Sequence, residues 1–231
     1  MTAFRYIDNS NGELVVLVPG WATDARVFIP ADIPYDALEA TGSSPDDFEQ
    51  ALLRKLESDG RKAVLVGWSF GALLAAEFAA KHPDLVESAV LMSVKPYYSE
   101  GDIERMEQFL RRDKTGYLKM FYRRCLGGHG RRERKWFEDT LQGIFIEQAD
   151  MDELLGSLRS FSGKKLPLQA LKVCQNRLVF LYGENDTIAP PEDMFEIKRN
   201  LPKANYIVFE DMGHMPFLHP DFKYILEACH V

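Results

Sequence analysis

Residues 62–83 read KAVLVGWSFGALLAAEFAAKHP, and they constrain the fold more than any other stretch. An apolar, β-branched run of strand length stops at Gly67, and an Ala/Leu-rich segment of helical length starts at about Phe70. Only Trp68 and Ser69 lie between them, so the chain must turn sharply at Ser69. Such a turn forces its central residue into strained backbone geometry, and a Cβ two positions before or after it would collide. Gly67 and Gly71 occupy those two positions. Gly-x-Ser-x-Gly alone arises by chance in roughly one chain in ten of this length. The strand–turn–helix setting is what gives it weight. The turn lifts the Ser69 hydroxyl above the sheet. It also aims the Phe70 amide at the same spot, at a helix N-terminus where amides lack partners. The competing reading makes Ser69 only the cap of the helix.

The same alternation recurs along the chain. Residues 13–19, 86–94, 177–183 and 205–210 are further strand-length apolar runs. Residues 43–60 read as a helix with Ser44 as cap, Pro45 in the first turn and Gly60 as its stop. A helix is expected over 191–201, and another from His219 onward. Strands alternating with helices predict βαβ units and a mainly parallel sheet. From 96 to 170 the alternation ceases, and the sequence is charged, helical in pattern and too long for a structureless loop. The expected organisation is therefore an α/β core of residues 1–95 and 171–231, with a helical cap inserted at 96–170.

Composition narrows the function. The formal net charge of −7 argues against nucleic acid as the default partner, because phosphate binding needs a positive field. Cys125, Cys174 and Cys229 are sparse and form no CxxC pair, which argues against a metal or redox site and fits a reducing compartment. No run approaches the ~18 apolar residues of a membrane span, and residues 1–18 lack the apolar core of a secretory signal. The expectation is a cytoplasmic protein without a membrane anchor.

A serine hydroxyl needs a base to take its proton, and the base needs an acid to orient it. Two loops downstream of the helical stretch each follow an expected strand, where side chains can meet at the C-terminal edge of the sheet. In LVFLYGENDTIAPP the acid is Asp186, with Glu184 as rival. In NYIVFEDMGHMPFLHP the base is His214, with Gly213 giving its loop freedom to aim the ring. The loop after the first strand, VPGWATDARVF, offers the Trp21 amide as a second donor facing that of Phe70 across an oxyanion; otherwise Trp21 is a packing residue.

These residues resemble the α/β-hydrolase family, from about Leu14 onward. Within it, GWATDARVF, GWSFGALLAAEFA, LYGENDTIAP and GHMPFLHP are similar to the carboxylesterases that hydrolyse pimeloyl-acyl-carrier-protein methyl ester in biotin synthesis. The resemblance implies a Ser69–His214–Asp186 triad, an acyl-enzyme, and no metal or organic cofactor. Two departures stand out. Pro19-Gly20 replaces the usual His-Gly before the oxyanion loop, and the chain is short before residue 14 and between 30 and 45. The first hairpin and one early strand are therefore expected to be reduced. Other triad reactions on this fold remain open, including C–C hydrolysis, lyase and thioesterase chemistry, as does a non-catalytic receptor.

Residues 111–135 carry ten Lys or Arg against two Asp or Glu, a local balance of +8 that leaves −15 on the rest. In the similar esterases, basic cap residues attract an acidic acyl carrier protein. Arg111, Arg112, Arg123, Arg124, Arg131 and Arg132 are the candidates here, unless the run is simply a solvated helix face. Trp21, Phe121 and Tyr122, with Arg123 and Arg124, are the candidate substrate contacts. Phe121 and Tyr122 could equally be core aromatics of the cap.

Overall fold

The computed structural model describes residues 2–41 and 45–229. Its centre is a seven-stranded sheet. In chain order the strands are β1 (Ala3–Ile7), β2 (Leu14–Val18), β3 (Asp36–Thr41), β4 (Ala63–Trp68), β5 (Val86–Met92), β6 (Leu178–Gly183) and β7 (Asn205–Phe209). They lie side by side in the order β1-β3-β2-β4-β5-β6-β7. Only β1 runs antiparallel, against β3. Every residue of β2, β4 and β6 is buried, as strands covered on both faces require.

The early edge of the sheet is fuller than expected. β1 and β3 both form, although neither is a continuous apolar run. The sequence of β3, DALEAT, carries two carboxylates that obscure it, and the fold supplies a partner to each. Asp36 accepts from the Tyr6 hydroxyl at 2.7 Å and from Arg61 Nη1 at 2.9 Å, while Glu39 pairs with Arg5. These hydrogen bonds, with Arg61 close by, hold the Asp36 carboxyl well below the usual carboxylate range.

Helix α1 (Phe48–Asp59) starts later than expected. The carboxylate of Asp47 is taken by the amide of Thr2 rather than capping the helix, and Pro45 lies in the preceding turn. The expected cap, Ser44, falls outside the described residues. Gly60 ends the helix at φ 79°, a left-handed stop natural to glycine. Helix α2 (Phe70–Lys81) is buried around most of its circumference, and its four buried alanines let it lie close to β4 and β5.

Between β5 and β6 the chain forms helices α3 (Glu100–Arg112), α4 (Lys114–Cys125), α5 (Arg131–Phe137), α6 (Gly143–Gln148) and α7 (Met151–Phe161). The segment's only β feature among the described residues is an isolated bridge between Tyr97 and Lys165. Helix α8 (Asp193–Asn200) joins β6 to β7, and α9 (Phe222–Cys229) follows. The parallel strands all present their C-terminal ends on one side, and β2 and β4 leave in opposite directions to their next neighbours. That divergence opens a crevice at the C-terminal ends of β2 and β4.

Candidate active site

Ser69 sits where β4 becomes α2, with φ 57° and ψ −118°. A non-glycine residue there costs on the order of 1–3 kcal/mol, which surrounding contacts must offset. The Ser69 amide donates to the Met92 carbonyl at 2.8 Å, and the Ser69 carbonyl accepts from Ala72 at 3.0 Å. The flanking glycines are needed for space. A Cβ on Gly67 would stand 2.6 Å from the Ala72 Cα, and one on Gly71 would stand 2.2 Å from the Val18 carbonyl oxygen.

The loops after β6 and β7 converge on this point. His214 Nε2 lies 2.9 Å from Ser69 Oγ, and its Nδ1 lies 2.7 Å from Asp186 Oδ2. Asp186 Oδ1 accepts from the amides of Ile188 at 2.8 Å and Ala189 at 2.9 Å. The hydroxyl is therefore joined to a carboxylate through one imidazole, across 145 positions of sequence. His214 is 1% exposed, Asp186 3% and Ser69 9%. Burial pushes the Asp186 carboxyl up, but the charge of His214, its hydrogen bond and the two amides outweigh this and hold it below its ordinary value. Glu184 is exposed and takes no part.

Gly213 serves otherwise than expected. Its backbone is not in the left-handed region. A Cβ at that position would lie 1.8 Å from the Gly127 carbonyl oxygen, so it provides close approach rather than freedom. The C-terminus of α4 presses on the histidine loop here. The Cys125 carbonyl accepts the His214 amide at 3.0 Å.

Phe70 follows Ser69 directly and lines one cavity together with Trp21, and among the described residues neither of their amides has an acceptor. The Trp21 indole donates to the Leu154 carbonyl at 3.2 Å, which ties the loop after β2 to α7. The Phe70 ring stacks on Phe161 at 4.0 Å. Both residues line a cavity of about 450 Å³ beneath α6 and α7. Ser69 is not itself among the residues lining the cavity, although Phe70, the next residue, is.

The other sequence candidates fall elsewhere. Phe121 packs edge-on against Trp21 at 5.1 Å, and so stands one layer behind the cavity. Tyr122 is buried against Phe137 and Phe145, and its hydroxyl donates to the Ala22 carbonyl. It braces the loop that carries Trp21. Arg123 and Arg124 are exposed and off the cavity wall. Arg124 Nη2 donates to the Thr187 carbonyl at 3.0 Å, one residue past Asp186. Arg111, Arg112, Arg131 and Arg132 are exposed on the helices between β5 and β6. Among the described residues no cluster of three or more His, Cys, Asp or Glu could hold a metal ion.

Two supports have no sequence signal as strong as the serine's. The Trp68 indole donates to the His214 carbonyl and packs on its ring at 5.6 Å, so the elbow holds the histidine loop from below. The Cys125 carbonyl holds it from above, and a main-chain acceptor leaves no mark in the residue types.

A fold with this elbow and these converging loops defines a hydrolase-type site. The sequence matches the model of the alpha/beta hydrolase family over residues 15–222, and the chain belongs to that family. It is 28% identical over 201 residues to a pimeloyl-[acyl-carrier protein] methyl ester esterase of Nitrosospira multiformis, covering 82% of this chain and 74% of that one. It is 25% identical over 233 residues to the protein of the same name from Legionella pneumophila strain Corby, covering 91% of each. Among solved structures it resembles a bromoperoxidase from Bacillus anthracis at TM-score 0.83 and 18% identity, over 99% of this chain and 94% of that one. It also resembles an esterase from Thermogutta terrifontis at TM-score 0.80 and 18% identity, over 100% and 94%.

Proposed function

We propose that this chain is a serine carboxylesterase working through an acyl-enzyme. The observation that carries the reading is the hydrogen-bonded series from Ser69 Oγ through His214 to Asp186, at 2.9 and 2.7 Å, beside two amides without acceptors. The short Nδ1–Oδ2 contact fixes Nδ1 as the protonated ring nitrogen and leaves Nε2 free to accept the serine proton. Ser69 Oγ bonds to the ester carbonyl carbon as its proton passes to Nε2. The carbonyl oxygen becomes an anion that the Trp21 and Phe70 amides bind; one such donor is worth roughly 100- to 1,000-fold in rate. The C–O bond to the alcohol then breaks, and His214 returns the proton to the departing oxygen. A water enters, gives a proton to Nε2 and bonds through its oxygen to the acyl carbon; the Ser69 C–O bond then breaks, His214 returns the proton to Ser69 Oγ, and the acid is released. Asp186, kept ionised, stabilises the positive ring at each stage.

The cavity beside Trp21 and Phe70 is the place for the non-reacting part of the substrate. The helices of 96–170 act as a cap over an α/β core of 1–95 and 171–231. The finer reading is hydrolysis of pimeloyl-acyl-carrier-protein methyl ester. It is supported by what the relatives from Nitrosospira multiformis and Legionella pneumophila are named for and by the exposed arginines of the cap, which suit an acidic carrier.

The general reading is tested by turnover of short p-nitrophenyl esters. Hydrolysis by the wild type, and a loss on the order of 10⁴- to 10⁶-fold in Ser69→Ala, is expected. Inertness to all esters would reject it. The finer reading is tested by rescue of a biotin auxotroph that lacks its pimeloyl ester esterase, with Ser69→Ala as control.

A further inference from the structure

We infer that the cavity selects its substrate by charge, accepting esters whose remaining chain is uncharged and discriminating against those bearing a free carboxylate. This rests on the esterase reading of the site. The cavity adjoins Trp21 and Phe70, and its wall includes four carboxylates: Asp24, Asp46, Asp150 and Glu153. No Lys, Arg or His belongs to the wall among the described residues. Asp24 is offset by Arg26 at 2.6 Å. Asp150 accepts from the amides of Asp152 and Glu153 at the start of α7, and Lys114 Nζ reaches the Ala149 carbonyl close by at 2.7 Å. The side chains of Asp46 and Glu153 make no hydrogen bond or ion pair among the described residues, and both are exposed. The surplus at the cavity is therefore negative, while the arginine-rich surface of the neighbouring helices contributes nothing to its wall.

The carboxylates do not make the site; they set which ligands enter it. A neutral ester meets an apolar lining of Trp21, Phe70, Leu74, Phe145, Leu154 and Phe161. A chain ending in a carboxylate meets like charges along the same wall, which repel it most at low ionic strength. Hydrolysis itself turns a neutral ester into an anion, so the same field favours departure of the acid product. A substrate derived from a dicarboxylic acid enters only when its far end is masked, as an ester or thioester.

The test compares dimethyl heptanedioate with its monomethyl monoacid, which differ by one masked carboxylate. At low ionic strength kcat/KM for the diester is expected to exceed that for the monoacid on the order of tenfold. The gap should narrow in 0.5 M salt as screening sets in. Asp46→Asn combined with Glu153→Gln should raise the monoacid several-fold more than the diester. Binding of both compounds to Ser69→Ala, measured by calorimetry, reads the same preference without turnover. Equal handling of the two compounds at low salt in both assays would overturn the inference, as would a gap that neither salt nor the double variant reduces. Binding preference without hydrolysis would leave the charge selection standing and remove the esterase reading instead.

Discussion

Replacing Asp186 by Asn changes few atoms but should reverse the direction of the proton chain. Asp186 Oδ1 accepts two amides, at 2.8 and 2.9 Å, and Oδ2 faces the His214 Nδ1. An asparagine can keep its oxygen on the two amides or offer it to the histidine, but not both. Turning its NH₂ toward the two amides would leave both donors without their acceptor, at about 1–3 kcal/mol for the buried Ala189 amide and less for the half-buried Ile188 amide. The oxygen therefore stays with Ile188 and Ala189, and the NH₂ donates to Nδ1. The ring proton then moves to Nε2, which faces Ser69 Oγ and can no longer accept. A loss of roughly 10,000-fold in kcat is expected, about 5.5 kcal/mol in the barrier, with little change in KM. Steady-state hydrolysis of a p-nitrophenyl ester measures it, and ¹⁵N chemical shifts of the His214 ring report the tautomer. Glu184→Gln, at the exposed neighbouring position, should stay within twofold. An Asp186→Asn variant that folds, shows the Nε2 tautomer and retains more than a tenth of wild-type kcat would refute the reasoning.

Three further outcomes follow from packing and charge. His129 is 3% exposed, has neither ring nitrogen hydrogen-bonded among the described residues, and is lowered by burial to about 4. The unfolded chain takes up a proton near pH 6.5 that the folded chain refuses until near 4, so stability should fall as pH drops through that window, by about 3 kcal/mol at most; urea melts of His129→Leu should show a flatter decline. Gly71→Ala places a methyl 2.2 Å from the Val18 carbonyl oxygen, and the variant should lose several kcal/mol or fail to accumulate as soluble protein, as read by thermal melting or expression yield. Reversing Arg111, Arg112, Arg131 and Arg132 to Glu should weaken binding of an acidic carrier protein at low salt by tenfold or more, with the difference shrinking as salt is added.

How far residue types reveal structure depends on whether a constraint falls on a side chain. Gly67 and Gly71 are legible because the elbow admits nothing larger, and Ser69 stands out between them. Asp186 and His214 are legible through their place just after strand-like runs, and the structure brings both into hydrogen-bonding reach of one another. The strand Asp36–Thr41 is hidden because Asp36 and Glu39 break its apolar pattern, and their partners, Arg61 and Arg5, are remote in sequence. Gly213 looks like a flexible hinge and is instead a point of close approach to Gly127, a contact between segments that no local reading supplies. Tyr122 is an apolar-looking helix residue whose hydroxyl turns out to brace the Trp21 loop. The Cys125 carbonyl, which holds the His214 amide, carries no signature at all, because every residue has a carbonyl.

The most direct measurement is intact-protein and peptide mass spectrometry after exposure to a fluorophosphonate. One adduct is expected, on the peptide containing Ser69, formed quickly in the wild type, very slowly in His214→Ala, and absent in Ser69→Ala. An unlabelled wild type, or labelling that continues undiminished without the serine at 69, would contradict the central claim that His214 activates this hydroxyl.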